Sequence, residues 1–365
     1  MPWCCCWQGI VPENGRLRTW RQSALEPPCA HGGPPAAGTI RTDPEDFLVE
    51  ERLGFGPDGG PGHFLLLVEK RDANTLFVAR SLARLVAVSP AEIGFAGLKD
   101  RRAVARQWFS MPARRDHSPP ERHVGEGFRV LEVHPHSRKL RRGALAANRF
   151  RLRVRELRGD LDALCARLET ISGLGVPNYF GPQRFGRGGA NLERVGDWIE
   201  SGRLPRERAA RGFLLSAARS LAFNAVLGRR VADGSWNRLL PGEIASLAGS
   251  SSVFRIAELD EELVRRCHEG DIHPSGPMCG AGDMQPADEC ASVEQQVLET
   301  LAPLPERLAA VAAGERRALV LRPAAMAWSA GGQELEIGFE LRRGAFATSL
   351  LREAVAAVMP VAEAD

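Results

Sequence analysis

Residues 144–156, ALAANRFRLRVRE, alternate without a break. Arg149, Arg151, Arg153 and Arg155 share one face of an extended strand, and Asn148, Phe150, Leu152 and Val154 share the other. A segment of this period belongs in a sheet with one apolar face. Four like charges along a strand are either a solvated surface or a track for a phosphate backbone. The amide of Asn148 ends an otherwise apolar face, so if buried it needs a specific hydrogen-bond partner.

Strand character flanks this segment on both sides. GTIRTDPEDFLVEERL and HFLLLVEK, within 38–70, read as strands joined by a Gly-rich hairpin loop. That loop, GFGPDG (54–59), matches G-x-G-x-x-G, but prolines and a strand follow it where a dinucleotide site needs a helix. Residues 74–88 place Val78, Leu82 and Leu85 on one helical face. SPAE (89–92) is a helix start, and IGFAG after it reads as a buried strand. Residues 160–175 form a helix. From 176 to about 316 the pattern is mostly helical, strands return with RRALVLRP and QELEIGFELRRG, and a last helix runs ATSLLREAVAAVM from Thr348. The simplest arrangement is a sheet-based domain interrupted by a helical insertion. The expected limits are 1–35 for a poorly ordered extension, 36–174 and 317–365 for the sheet domain, and 175–316 for the insertion.

Charge is unevenly spread. The net charge is only +3, yet residues 99–158 hold 17 Lys+Arg against 6 Asp+Glu, while residues 256–315 hold 3 against 13. A basic segment of this size suggests a phosphate-rich partner, and the abundance of Arg throughout the chain does not explain the acidic one. No run of 18 apolar residues is present, which gives no membrane span, and the N-terminus lacks a secretory pattern. Eight cysteines without a C-x-x-C pair, three of them adjacent at Cys4, Cys5 and Cys6, fit a reducing cytoplasmic compartment. CHEGDIHPSGPMC (267–279) carries ligand types at the spacing of no common zinc module, so its residues read as scattered loop positions and no metal is expected.

Three segments carry candidate chemistry. GFAGLKDRRAVARQ (94–107) packs Lys99, Arg101, Arg102 and Arg106 around one acid, Asp100. Set among cations, an acid is favoured as a carboxylate, able to act as nucleophile, base or ordinary salt-bridge partner. Lys99 is one of three lysines in an arginine-rich chain, which marks a place where Arg does not serve. NYFGPQRFG (178–186) holds the only tyrosine, the donors Gln183 and Arg184, and three aromatics that either stack on bases or pack a hinge. In RRGAFATSLLRE (342–353), Arg342 and Arg343 lead into a helix whose N-terminus holds a phosphate or is simply capped.

In this order, GLKD (97–100), NYFGPQRFG (178–186), LSAARSLAFN (215–224) and GAFATSLLRE (344–353) resemble the segments of the TruD family of tRNA pseudouridine synthases, and the likeness runs from about Gly38 to the C-terminus. The resemblance implies an α+β fold: a pseudouridine-synthase-like catalytic domain on a mixed, largely antiparallel sheet, interrupted by a helix-rich α/β insertion domain. It implies isomerisation of uridine, at position 13 of tRNA, without metal or organic cofactor. Asp100 falls on the family's catalytic aspartate, Asn148 and Phe150 on its Asn-x-Phe pair, and Phe47 on a further cleft aromatic. Arg41, which stands where some members have Lys, joins Lys99, Gln183 and Arg184 as expected RNA-binding residues. Ala105 and Ala147 depart from the family's usual Thr and Gly. The partner implied is tRNA, with no membrane, no obligatory protein partner and a monomeric state. Phe47 and Phe150 are expected to sandwich an extruded base. The rival readings are an RNA-binding or RNA-chaperone protein without catalysis, which makes Asp100 a salt bridge, and a nucleotide-dependent enzyme using GFGPDG.

Overall fold

In the computed structural model, which describes residues 15–114, 119–282 and 284–358, the alternating segment makes up most of one strand, Leu145–Gly159. Phe150, Leu152 and Val154 are buried on one face, and the four arginines lie on the other. The chain divides into two units. One comprises Val176–Leu321 with the described part of Met1–Ala30; the other comprises His31–Gly175 with the described part of Arg322–Asp365. Cys4, Cys5 and Cys6 lie outside the described residues.

The first described element is helix α1 (Gly15–Leu25). Where a poorly ordered extension is expected, this helix packs on two later helices of its unit, because Trp20 and Ala24 give it an apolar side that is buried. The sheet-bearing unit follows with β1 (Ala36–Ile40), β2 (Phe47–Leu53), β3 (His63–Arg71), α2 (Thr75–Leu85), β4 (Gly94–Phe95), β5 (Val104–Pro112), β6 (Val124–Gly125), β7 (Phe128–His136), β8 (Leu145–Gly159) and α3 (Leu161–Leu174). α2 buries Val78 and Leu82 against Leu66, Val68 and Phe109 of the sheet. At 89–92 the capping box of Ser89 and Glu92 forms, but around a single 3-10 turn, since β4 begins two residues later.

The other unit contains β9 (Val176–Pro177), α4 (Ala190–Ser201), α5 (Arg208–Ala232), β10 (Ile244–Leu247), β11 (Val253–Arg255), α6 (Glu261–Glu269), β12 (Ile272–Met278), α7 (Asp288–Thr300), α8 (Leu304–Ala309), β13 (Glu315–Ala318) and β14 (Val320–Leu321). Its antiparallel sheet runs β11-β10-β12-β13, and α5 packs against α4, α7, α8 and β12. Cys267 and His273, read from sequence as loop residues, belong to α6 and β12; the strand forms because Ile272 and Pro274 are buried against β10. Among the described residues no cluster of His, Cys, Asp and Glu could hold a metal ion, and no helix is long and apolar enough to cross a membrane.

This unit also buries charge. Arg230 donates to Glu243 at 2.9 Å and to the carbonyls of Ser235 and Arg238 at 2.9 Å. Arg316 donates to both oxygens of Glu294 at 2.6 and 2.9 Å and to Ser275 O at 2.8 Å. The Cys290 thiol lies between the two pairs, 3.4 Å from Glu243, and burial beside these carboxylates pushes it above the usual thiol range.

The chain then returns to the first sheet through β15 (Ala324–Gly331), β16 (Glu334–Arg342), α9 (Ala347–Ala354) and β17 (Val355–Val358). The sheet order is β15-β16-β8-β2-β5-β3-β7-β6, with β1 paired to β8 and β17, and β4 to β5. Only β1–β17 and β2–β5 are parallel, so the sheet is mixed and largely antiparallel as expected. Two local expectations fail. β2 and β3 do not form a hairpin, because β5 lies between them and pairs with both. The last helix stops at Ala354, because Val355–Val358 extend to cover the open edge of β1.

Candidate active site

Pairing register sorts the sheet's side chains onto two faces. Glu51 stands opposite Asn148, and Val49 opposite both Phe150 and Ala105. Lys70 stands opposite Ala105, and Val68 opposite Gln107. Phe47, Glu51, Lys70, Gln107, Asn148 and Phe150 therefore share the apolar face. The other face carries the arginine row. There Arg153 pairs with Glu336 and Arg155 with Asp46, while Arg149 and Arg151 make no ion pair among the described residues.

The loop between β4 and β5 carries GLKD, and buried side chains hold it at Gly97, Lys99 and Asp100. Gln107 Nε2 donates to Gly97 O at 2.6 Å. Thr75, at the start of α2, accepts from Lys99 N at 3.0 Å and donates to Gln107 Oε1 at 3.0 Å. Lys99 Nζ donates to Glu51 at 2.7 Å, and Glu51 also accepts from Trp108 N at 2.9 Å. Lys70 Nζ donates to Asp100 O at 2.5 Å and to Ala73 O at 2.8 Å. The Asp100 side chain, 38% exposed, is the part left open, and Arg41 donates to its Oδ2.

Lys99 is expected at a bound RNA. Instead its side chain is 7% exposed and its charge is used by Glu51, which is 0% exposed. Removing one partner of such a pair leaves a buried charge uncompensated. Lys99→Met should lower the unfolding free energy by about 3–5 kcal/mol in denaturant titration; an unchanged midpoint would show that the pair does not form.

Lys70 is completely buried, and burial pushes its ammonium down to about 8 against the pull of Asp100 and Asp72. The unfolded chain holds that proton to about pH 10.4. Unfolding therefore takes up a proton between these values, and this group's contribution to stability rises with pH through that window.

Arg41 has φ 59°, in the left-handed region, and its guanidinium lies 4.0 Å from the Phe47 ring centroid. Phe47 meets Phe150 edge to face at 6.0 Å, and Phe150 meets Phe339 at 5.5 Å. The rings are buried and packed on each other, with no slot between Phe47 and Phe150, because neighbouring strands set them diagonally on one face. Among the described residues, the buried side-chain atoms of this unit without a hydrogen-bond partner include Asn148 Oδ1 and Arg41 Nε. For polar atoms cut off from water that is uncommon.

Gln183 and Arg184 lie in the other unit. Gln183 is exposed, while Arg184 donates to Ser216 Oγ at 2.7 Å and burial lowers its guanidinium pKa. Tyr179, Phe180 and Phe185 are buried, and Asn224 clamps the Phe180 peptide through its N–H and C=O at 2.9 and 3.0 Å. The motif's aromatics thus pack the core. Arg342 and Arg343 are exposed, and Arg343 donates to Gly143 O at 3.0 Å.

Glu51, Lys70, Thr75 and Gln107 are not among the residues singled out from sequence. Alternation offered a signal for two of them. Counting by twos from Phe47 and Val49 reaches Glu51, and from Leu66 and Val68 reaches Lys70, a charge on each apolar face.

The family model described as tRNA pseudouridine synthase D (TruD) matches residues 29–210 and 204–354. The tRNA pseudouridine synthase D of Nitrosococcus oceani is 44% identical over 333 residues, covering 89% of this chain and 93% of that protein. That of Methylococcus capsulatus is 43% identical over 331 residues, covering 90% and 94%. The crystal structure of the putative tRNA pseudouridine synthase D (TruD) from Methanosarcina mazei shares the fold, with a TM-score of 0.70 at 22% identity over 91% of this chain and 96% of that one. Matches of this extent cover both units, including every segment that carries the resemblance. The chain belongs to the TruD family of tRNA pseudouridine synthases, isomerases that convert uridine to pseudouridine in tRNA.

Proposed function

We propose that this protein isomerises uridine 13 of tRNA with Asp100 as the reacting group and no cofactor, the sheet-bearing unit being the catalytic domain and the other its insertion. The observation that carries this reading is the Asp100 carboxylate itself, the exposed end of a loop whose Gly97 O, Lys99 N, Lys99 Nζ and Asp100 O are held by buried side chains. In the reaction the bond from the sugar's C1′ to N1 of uracil breaks, a bond from C1′ to C5 forms, the C5 proton leaves, and N1 gains one. A carboxylate serves by attacking a carbon centre or by removing the sugar's 2′ proton, and both routes need it fixed against the extruded nucleoside.

Asn148 Oδ1 and Arg41 Nε support the reading as an acceptor and a donor that a bound nucleotide would satisfy. For Phe47 and Phe150 the proposed role is an apolar wall to the base, reached at a ring edge. Exposed Gln183 is offered as an RNA contact, and Lys99 and Arg184 as residues that position their own segments. The excess of cations within 99–158 would draw in the phosphates.

The test is to incubate the purified, chelator-treated protein with an unmodified tRNA transcript and to map pseudouridine chemically. New pseudouridine at position 13 is expected. Modification only elsewhere overturns the position, a need for added metal overturns the absence of a cofactor, and binding without conversion overturns the catalytic reading in favour of RNA binding alone.

A further inference from the structure

Lys70 takes no part in the reaction as proposed, yet it is among the largest fully buried side chains of the described residues. An ammonium taken out of water needs close partners, most often a carboxylate. The two oxygens that Lys70 reaches are backbone carbonyls, those of Asp100 at 2.5 Å and Ala73 at 2.8 Å. The ionisable groups around it are Asp100 and Lys99 on the loop and Asp72 beyond the end of β3. Its register partners, Ala105 on β5 and Phe128 on β7, carry no charge. The charge is thus buried under the one peptide that bears the open carboxylate, and it ties that peptide to the turn leading into α2.

We propose that Lys70 is a positioning residue for Asp100, holding its peptide in place and setting a buried positive charge beside its carboxylate. The inference rests on Asp100 being the reacting group. It carries two consequences that a purely structural lysine does not. First, the two charges are linked. Asp100 raises the proton affinity of Lys70 against burial, so removing the carboxylate makes the lysine easier to deprotonate. Second, turnover depends on the lysine's proton. Burial brings the Lys70 ammonium down to about 8, so kcat falls as pH rises through that value.

The chain has only three lysines, Lys70, Lys99 and Lys139. Protein labelled with 13C-lysine therefore gives three side-chain signal sets that Lys99→Met and Lys139→Met assign. In the wild type the Lys70 signal should titrate near 8, and in Asp100→Asn its midpoint should move to lower pH. Lys70→Met should lower kcat about ten- to a hundred-fold, leave KM for tRNA within about two-fold, and remove the alkaline fall in kcat. A Lys70 signal that titrates where an exposed lysine does, or that ignores Asp100→Asn, overturns the proposal, as does a Lys70→Met enzyme with wild-type kcat and pH profile. Should Lys70→Met fail to fold, the lysine titration decides alone, since it needs neither that variant nor turnover. An active Asp100→Asn enzyme would instead overturn the catalytic reading, whatever the titration shows.

Discussion

Replacing Asp100 with Asn should abolish pseudouridine formation and leave tRNA binding within a few-fold. The substitution is nearly isosteric. The Asn amide oxygen still accepts from Arg41, and the peptide carbonyl still accepts from Lys70, so the loop keeps its anchors. The negative charge and its lone pairs are lost, and with them the capacity to attack carbon or take a proton. Loss of the group that reacts typically lowers kcat by at least about 10⁴-fold, far more than loss of a positioning contact. Single-turnover assays on a transcript with excess enzyme, beside a filter-binding measurement of the same variant, separate the two quantities. Retained turnover would show that Asp100 does not react, and lost binding would show that it holds RNA instead.

Replacing Arg230 with Met should destabilise the unit that holds it by about 3–5 kcal/mol. Its guanidinium is 1% exposed and satisfies the Glu243 carboxylate and two carbonyls together. Without it, Glu243 is a buried charge facing the Cys290 thiol and the Glu294 carboxylate, neither of which can neutralise it. The double replacement Arg230→Met with Glu243→Leu should recover part of the loss, because it removes the charge as well as its partner. Urea unfolding of the three variants measures this directly. Additive losses would mean that the two side chains do not act as a pair.

Much of the fold could be read locally. The β8 alternation placed four arginines on one face and Asn148 and Phe150 on the other, and pairing with β2 and β16 keeps that division. The helix at 74–88 and the capping box at 89–92 also depend on neighbours a few residues away, so propensity and period suffice to find them. The order of strands could not be found this way. Nothing within residues 47–71 reveals that β5, some 40 residues downstream, enters between β2 and β3. Nor does AVAAV, apolar and rich in alanine, reveal that β1 will take it as a strand. These outcomes are decided by edges that exist only once the sheet is assembled.

The same division runs through the site. The sequence alone determined Asp100 as the acid among cations, the strand face that Asn148 and Phe150 share, and the motif order that carries the family. Tertiary structure decided what each of these residues does with its charge and its rings. Lys99 turned inward to Glu51, the aromatics of NYFGPQRFG went into the core, and Lys70 came under the Asp100 peptide from a strand 30 residues earlier. The physical reason is common to all three. A motif specifies which groups are present, but desolvation and the partners met on folding fix where a buried charge or ring can rest, and those partners come from distant segments brought together by the sheet.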